Sequence, residues 1–211
     1  EIRNRNMSII TGPRIVTSGL RLSLDALDPE SYAGSGNDWL DRSGNGFNFT
    51  NEAAFTSDFD ARGWFDLSND GTDGASSTTI STGSTSTLVF WIRTTDTQAL
   101  FWQGQSNSYF VGAYKSSNKE YYGNAGSPTF WMDTVEKDNI YDYIRDGEWH
   151  MLEFKSVDLS SWTRGRFNNY SSFLFGNGSI AKILIYDRNL TTAESKQNFN
   201  AIRGRFDLPK V

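Results

Sequence analysis

Apolar and polar residues alternate along several short segments of the chain, and this period of two predicts β-strands. Gly19–Ala26 places three leucines on one side and polar residues between them. Leu88–Arg93 is almost continuously apolar, which is typical of a strand covered on both faces. Asp146–Phe154 begins at an Asp-Gly turn and carries large apolar groups on both sides. We therefore expect strands that lie between two packed layers.

The C-terminal part of the chain combines a last strand with a single helix. Ile180–Tyr186 is rich in β-branched residues and follows a glycine-rich turn. Thr191, followed three residues later by Glu194, has the spacing of a helix capping box. The pattern predicts a helix over Thr192–Arg203 that ends at Gly204. About a dozen short strands and one terminal helix predict an all-β fold, namely a two-sheet antiparallel sandwich with one short C-terminal helix.

The length of 211 residues suits one larger all-β domain. Gly12 and Pro13 interrupt the apolar segment Ile9–Val16, and a proline removes a hydrogen-bond donor from a sheet. We expect residues 1–18 to form an N-terminal arm or an edge strand, and residues 19–211 to form a single domain.

Composition narrows the classes of function. Aromatic residues make up 15% of the chain, which indicates a large core, and the net charge of −5 with no basic run disfavours nucleic acid and anionic membranes as partners. No apolar stretch approaches the ~20 residues that a membrane span needs, so membrane insertion is not expected. With 0 cysteines the chain has no disulfide and no thiolate chemistry.

Catalysis has weak candidates. His150 is the single histidine and has no serine, cysteine or second histidine at a motif spacing, so we interpret it as a packed or hydrogen-bonded strand residue. Retaining glycoside hydrolysis needs two carboxylates about 5 Å apart. Glu153 and Asp158 lie closest to such a pair in the sequence but lack the spacing. We expect a protein that is not an enzyme, with a hydrolase or lyase as the remaining enzymatic alternative.

Two loops contain the residue types that bind calcium. The first matches the spacing of a helix-flanked calcium loop; its residues are Asp41, Ser43, Asn45, Gly46 and Glu52. No amphipathic helix precedes this loop and a strand-like segment follows its glycine, so a turn into a strand is the favoured interpretation. The second loop carries Asp66, Asp70 and Asp73 around Ser68. Three carboxylates suit a hard cation, and calcium is the candidate cofactor; a solvated acidic turn is the alternative.

Six segments of the chain carry a resemblance to a known family when they are taken together and in order. They are Gly19–Ala26, Trp39–Thr50, Thr87–Thr94, Asp146–Phe154, Gly176–Ser195 and Lys196–Leu208. In this conjunction they resemble the concanavalin-A-like, laminin-G-like jelly-roll superfamily, from about Gly19 to Leu208. The resemblance implies that the sandwich is a jelly roll and that residues 19–211 are a laminin-G-like domain.

The opening and closing segments resemble those of virion proteins of tailed bacteriophages. This resemblance implies a module displayed on the virion surface, for adhesion to carbohydrate or for decoration of the particle. The expected partners are other virion proteins, host-surface glycans and further copies of the chain. Fold alone does not define a ligand, so an assembly protein without a glycan ligand stays open as the alternative.

Sugar binding would use aromatic rings that stack on pyranoses and polar groups that bond hydroxyls. The candidates lie in the least strand-like stretches and are Tyr121, Tyr122, Asn124, Trp131, Trp162 and Arg164. Each of them could equally be a core or turn residue, because tryptophan and tyrosine are mostly buried. An exposed aromatic cleft would favour the sugar-binding hypothesis, and a flat apolar patch the assembly hypothesis.

Overall fold

A computed structural model describes residues 13–51, 59–67, 75–77, 80–95, 99–106, 108–114, 119–138, 143–167 and 178–211. For residues 51, 75–77, 99–101, 113, 114 and 119–122 it describes the backbone alone. The described strands form two antiparallel sheets that pack face to face, followed by one helix. The predicted two-sheet antiparallel sandwich with a short C-terminal helix is confirmed.

The first sheet contains eight of the described strands. They are β1 (Leu20–Asp25), β4 (Phe59–Asp60), β5 (Trp64–Leu67), β7 (Ser86–Thr94), β11 (Gly126–Met132), β12 (Val135–Lys137), β13 (His150–Val157) and β15 (Gly178–Tyr186). Their order is β12-β11-β13-β7-β15-β5-β4, and β1 pairs with the second half of β15 on the edge that β5 occupies along the first half. The four strong strand patterns of the sequence therefore become the adjacent central strands β13, β7 and β15 and the neighbour of β15, β1.

The second sheet contains the seven other described strands. They are β2 (Asp38–Trp39), β3 (Phe49–Asn51), β6 (Ala75–Ser77), β8 (Ala99–Gln103), β9 (Phe110–Tyr114), β10 (Lys119–Gly123) and β14 (Gly165–Phe167). Their order is β10-β9-β8-β14-β6-β3-β2. Most of these strands are short, which matches the turn-rich sequence between the central apolar runs.

The main core lies between the two sheets. Phe90 and Phe154 of the first sheet contact each other edge to face, and Phe90 also packs against Trp102 of the second sheet. A Cβ atom on Gly165 would lie 2.6 Å from Cζ2 of Trp102, so only glycine lets β14 approach this ring. Burial of these aromatic rings, together with the aliphatic residues around them, stabilises the sandwich.

A second buried layer covers the outer face of the first sheet. Helix α1 (Thr192–Ile202) begins with the predicted capping box: Thr191 Oγ1 accepts a hydrogen bond from the Glu194 amide, and the Glu194 carboxylate accepts one from the Thr191 amide. The helix buries Phe199, which stacks on Trp91 of β7 at a ring distance of 5.5 Å. Because β7 is covered by β-sheet on one face and by α1 on the other, its apolar run is continuous.

The sequence pattern predicts that the helix ends at Gly204, but helical structure continues past this residue. A 3₁₀ turn, Arg203–Phe206, continues from α1, and the left-handed residue that ends it is Asp207, with φ of 56°. Phe206 stacks on Trp149 at 4.2 Å, and Arg205 Nη1 donates to Asp25 Oδ1 at 2.8 Å. These tertiary contacts stabilise the extra turn. Among the residues that the structure describes, no helix has the length and apolar character needed to cross a membrane.

Candidate functional site

One transverse row of polar residues crosses the outer face of the first sheet near one end. Ser179 of β15 pairs with Asp66 of β5 on one side and with Arg93 of β7 on the other. Side chains of strand residues that pair directly lie on the same face. The row is therefore set by strand register, and it unites residues that are far apart in the sequence.

The hydrogen bonds within this row use some of the polar atoms of Asp66 and Arg93 and leave two of them available to a ligand. Asp66 Oδ1 accepts a hydrogen bond from Ser179 Oγ and another from Arg93 Nη2 at 3.2 Å. Arg93 Nε donates to Ser179 Oγ at 2.9 Å. Within the described part of the chain, neither Asp66 Oδ2 nor Arg93 Nη1 has a hydrogen-bond partner. One acceptor atom and one donor atom of the row therefore have no partner among the described residues.

Two tryptophans hold Arg93 in place. Its guanidinium lies 5.1 Å from the ring centre of Trp64 and 5.4 Å from that of Trp149. The two rings contact each other at 5.4 Å, and both are nearly buried. An arginine stacked on aromatic faces keeps its planar fork in one orientation. The guanidinium is thus preorganised without the help of a ligand.

The row forms one wall of a cleft with a volume of about 280 Å³. The lining residues are Asp66, Leu67, Arg93, Thr94, Thr95, Gly147, Gly178 and Ser179. Gly147 has a φ of +80°, and a Cβ atom there would lie 3.3 Å from Thr95 Cγ2. Its amide donates to the Thr94 carbonyl at 3.1 Å. The Asp-Gly turn that precedes β13 is therefore hydrogen-bonded to the end of β7. This turn forms the opposite wall of the cleft.

His150 anchors this turn. Its Nδ1 lies 2.6 Å from Asp133 Oδ2, and its Nε2 lies 3.1 Å from Asp146 Oδ2, next to Gly147. Burial disfavours the imidazolium, but the hydrogen bonds and charges of Asp133 and Asp146 outweigh it and raise the pKa of His150 above its usual value. Both ring nitrogens face carboxylates, so His150 is a hydrogen-bonded strand residue, as the sequence analysis expects.

Of the predicted sugar-binding residues, Trp162 is the one whose surroundings the structure shows to be core. Trp162 is 1% exposed, its Nε1 donates to the Asn124 carbonyl at 3.0 Å, and Tyr109 packs against its ring edge to face. The ring of Trp162 therefore belongs to the core and has no free face for a sugar, which corrects that candidate. Asn124 is exposed and has a φ of 44°, so its backbone shapes the turn after β10.

Four further candidates lie on strands or directly beside one. Trp131 is half-buried on β11; Lys155 Nζ lies 3.8 Å from the centre of its ring, and its Nε1 donates to Thr129 Oγ1. Tyr121 and Tyr122 lie on β10, and their side chains are outside the described part of the structure. Arg164 is half-buried directly before β14. These four residues remain predictions.

The first calcium candidate is a hydrogen-bonded turn. Asp41 Oδ1 accepts from the amides of Ser23 and Ser43 at 2.9 and 2.8 Å, and Oδ2 accepts from the Phe47 amide at 3.1 Å. The carboxylate that would have to bind the ion therefore already accepts hydrogen bonds from three backbone amides. Glu52, the last residue of the proposed loop, lies outside the described residues.

The second calcium candidate is described only in part. Asp66 lies on β5 and is engaged by Arg93 and Ser179, while Asp70 and Asp73 lie outside the described residues. Among the residues that are described, no three His, Cys, Asp or Glu side chains gather in a way that could hold a metal ion. In this structure the partner of Asp66 is a guanidinium.

The sequence pattern does not identify Arg93, Ser179 and Gly147 as members of one site. The only local signal was a charged residue at the end of the apolar run of β7. A terminal arginine of this kind is common at sheet ends, so the signal gains meaning only when the partners across the strands are known.

The sequence matches no protein-family model and no curated protein. Solved structures do share the fold. A mutant Trypanosoma rangeli sialidase that displays trans-sialidase activity matches with a TM-score of 0.55 at 12% identity, over 92% of this chain and 35% of that one. The binding domain of botulinum neurotoxin serotype D matches with a TM-score of 0.52 at 11% identity, over 85% and 51%.

A third similar structure is the binding domain of Paraclostridial Mosquitocidal Protein 1, with a TM-score of 0.52 at 13% identity, over 87% of this chain and 52% of that one. The chain thus spans about a third of the sialidase and about half of each toxin domain. At these identities the likeness establishes the β-sandwich fold. Chemistry has to be argued from the cleft itself.

Proposed function

We propose that this chain is a non-enzymatic binding module that holds carbohydrate in the cleft beside Arg93. The observation that carries the proposal is the open pair of Asp66 Oδ2 and Arg93 Nη1 in a concave, polar and preorganised site. Sugars present hydroxyl groups that both donate and accept hydrogen bonds. One hydroxyl can donate to the carboxylate while its neighbour accepts from the guanidinium, and charged partners strengthen both bonds.

The cleft favours binding over hydrolysis. Glycosidases of the common type place two carboxylic groups on either side of the scissile bond. Asp66 is the single carboxylate among the described residues that line the cleft. A carboxylate paired with arginine can bind a sugar, and the described lining supplies no second carboxylate to attack the sugar or activate water.

The experiment is glycan-array binding of wild-type protein and of Arg93→Gln, followed by calorimetry on the best ligand. Loss of a charged hydrogen bond costs ~1.5–3 kcal/mol, so we expect Arg93→Gln to weaken binding by about tenfold or more. The matched control is Arg62→Gln, because Arg62 also lies over Trp64, at 4.4 Å, but is outside the cleft. A uniformly negative array with folded wild-type protein, or equal losses in both variants, would refute the proposal.

The proposed setting is the surface of a virion, where the module would meet host glycans and other virion proteins. This part rests on the sequence resemblance of the opening and closing segments to phage virion proteins. An assembly role without a glycan ligand is its alternative. Mass spectrometry of purified virions would show whether they contain the chain. If Arg93→Gln still associates with virions but no longer binds glycan, assembly and glycan binding are separate properties.

A further inference from the structure

The charges of the described residues that line the cleft balance each other. Arg93 is the single cation and Asp66 the single anion among the described lining residues, and they form a direct ion pair at 3.2 Å. The remaining lining residues are uncharged. An anionic ligand would therefore compete with Asp66 for the guanidinium instead of meeting an unpaired positive charge.

The open carboxylate oxygen adds a chemical requirement. Asp66 Oδ2 can only accept a hydrogen bond, so a ligand group beside it must donate one. A sugar hydroxyl meets this requirement. A ligand carboxylate or sulfate carries no donor at neutral pH and is repelled by the charge of Asp66, whose side chain is 54% exposed to solvent.

We propose that Asp66 is the specificity-determining residue of the cleft and restricts it to uncharged saccharides, excluding sugars that carry a carboxylate or a sulfate. This inference rests on the proposed carbohydrate-binding function. Arg93 supplies the donor for a first hydroxyl, Asp66 the acceptor for a second, and Ser179 holds both side chains in position.

The test compares neutral and acidic glycans of the same size on wild-type protein and on Asp66→Asn. The amide keeps the shape of the side chain, removes the negative charge and adds donors. We expect the ratio of acidic to neutral affinity to rise by about twofold to fivefold, as for removal of a partly exposed like charge. The gain should shrink in high salt, because screening weakens the repulsion in the wild type.

The matched control is Asp60→Asn. Asp60 is paired with Arg62 beside the same Trp64 but does not line the cleft, so its loss changes net charge by the same amount at a neighbouring position. Asp66→Ser is a second variant that removes the charge with a smaller side chain. Thermal unfolding confirms that each variant is folded before its binding is compared.

The outcomes separate the two proposals. Suppose that wild-type protein binds neutral glycans and that the ratio of acidic to neutral affinity is unchanged in Asp66→Asn and Asp66→Ser. This result would overturn the role of Asp66 and leave the binding function intact. Equal wild-type affinity for acidic and neutral glycans would do the same. If wild-type protein binds neither class, both proposals fail. A rise in the ratio that occurs in Asp66→Asn and not in Asp60→Asn supports the inference.

Discussion

Glu153 lies in an environment that a glutamate rarely occupies. Its side chain is fully buried on β13 beneath α1, and neither carboxylate oxygen accepts a hydrogen bond of normal geometry within the described residues. Lys155 Nζ lies 3.9 Å away and donates to Ser195 of the helix. Burial raises the pKa of Glu153 to about 7, against the opposing charge of Lys155.

This shift predicts that stability falls as pH rises. The unfolded chain releases the Glu153 proton near its ordinary pKa of 4.5 and the folded protein near 7, so unfolding becomes more favourable between these values. Glu153→Gln cannot titrate. We expect its stability relative to wild type to improve by up to about 3 kcal/mol between pH 4.5 and pH 8, measured by urea unfolding at both pH values. Glu148→Gln, at an exposed position, is the control; a pH-independent difference for Glu153→Gln would contradict the assignment.

At the scale of elements, helix α1 is attached to the sheet by a closed polar network. Asn198 Oδ1 accepts from the Val16 amide at 2.8 Å, and Asn198 Nδ2 donates to Tyr186 Oη at 3.1 Å. Tyr186 Oη donates in turn to the Val16 carbonyl at 3.0 Å. The polar groups of α1, of β15 and of the segment before β1 thus satisfy one another's hydrogen bonds in the buried interior. Such a network stabilises one docking position of the helix.

Asn198→Ala should break this network. It leaves the Val16 amide without its acceptor and Tyr186 Oη without its donor, and each unsatisfied buried group costs ~1–3 kcal/mol. We expect a loss of about 2 kcal/mol or more in the free energy of unfolding, read from thermal or denaturant unfolding. Gln197→Ala is matched to it, because Gln197 on the same helix also bonds the segment before β1, through the Arg14 carbonyl, but in an exposed position. Equal effects of the two substitutions would count against the network.

At the scale of the whole molecule, the first sheet is apolar on both faces. Its inner face packs on the second sheet, and its outer face presents Trp91, Met151 and Leu184, which are fully buried under α1 and the C-terminal turn. Without that cover these residues would form a large exposed apolar patch, which soluble proteins rarely tolerate. The helix therefore completes the fold and is not an appendage to it.

Deletion of residues 191–211 tests this point. We expect the shortened chain to bind an apolar dye and to aggregate, because the outer apolar face becomes exposed to water. Size-exclusion chromatography and near-UV circular dichroism would report the change. Deletion of residues 209–211, which are exposed, is the control and should leave the protein monodisperse. A monomeric 191–211 deletion with native near-UV signals would show that the sandwich stands alone.

Local patterns explain why some features were predictable. Alternation identified β1 and β13, the apolar run identified β7, and the Thr191–Glu194 spacing identified the start of α1, because each signal depends on neighbours within a few residues. Trp162 was wrong as a sugar-binding candidate, because a tryptophan looks the same in sequence whether its ring lies in the core or on the surface.

The sequence by itself determined the strands, the helix start and the all-β class, since backbone preference and side-chain alternation are local properties. Only the tertiary structure decided that Asp66, Ser179 and Arg93 meet in one cleft. Asp66 and Ser179 are separated by 113 positions along the chain, and their contact depends on the order and register of β5, β15 and β7. A register slip of one residue would turn these side chains to the opposite face, so the site exists only when the sheet is assembled.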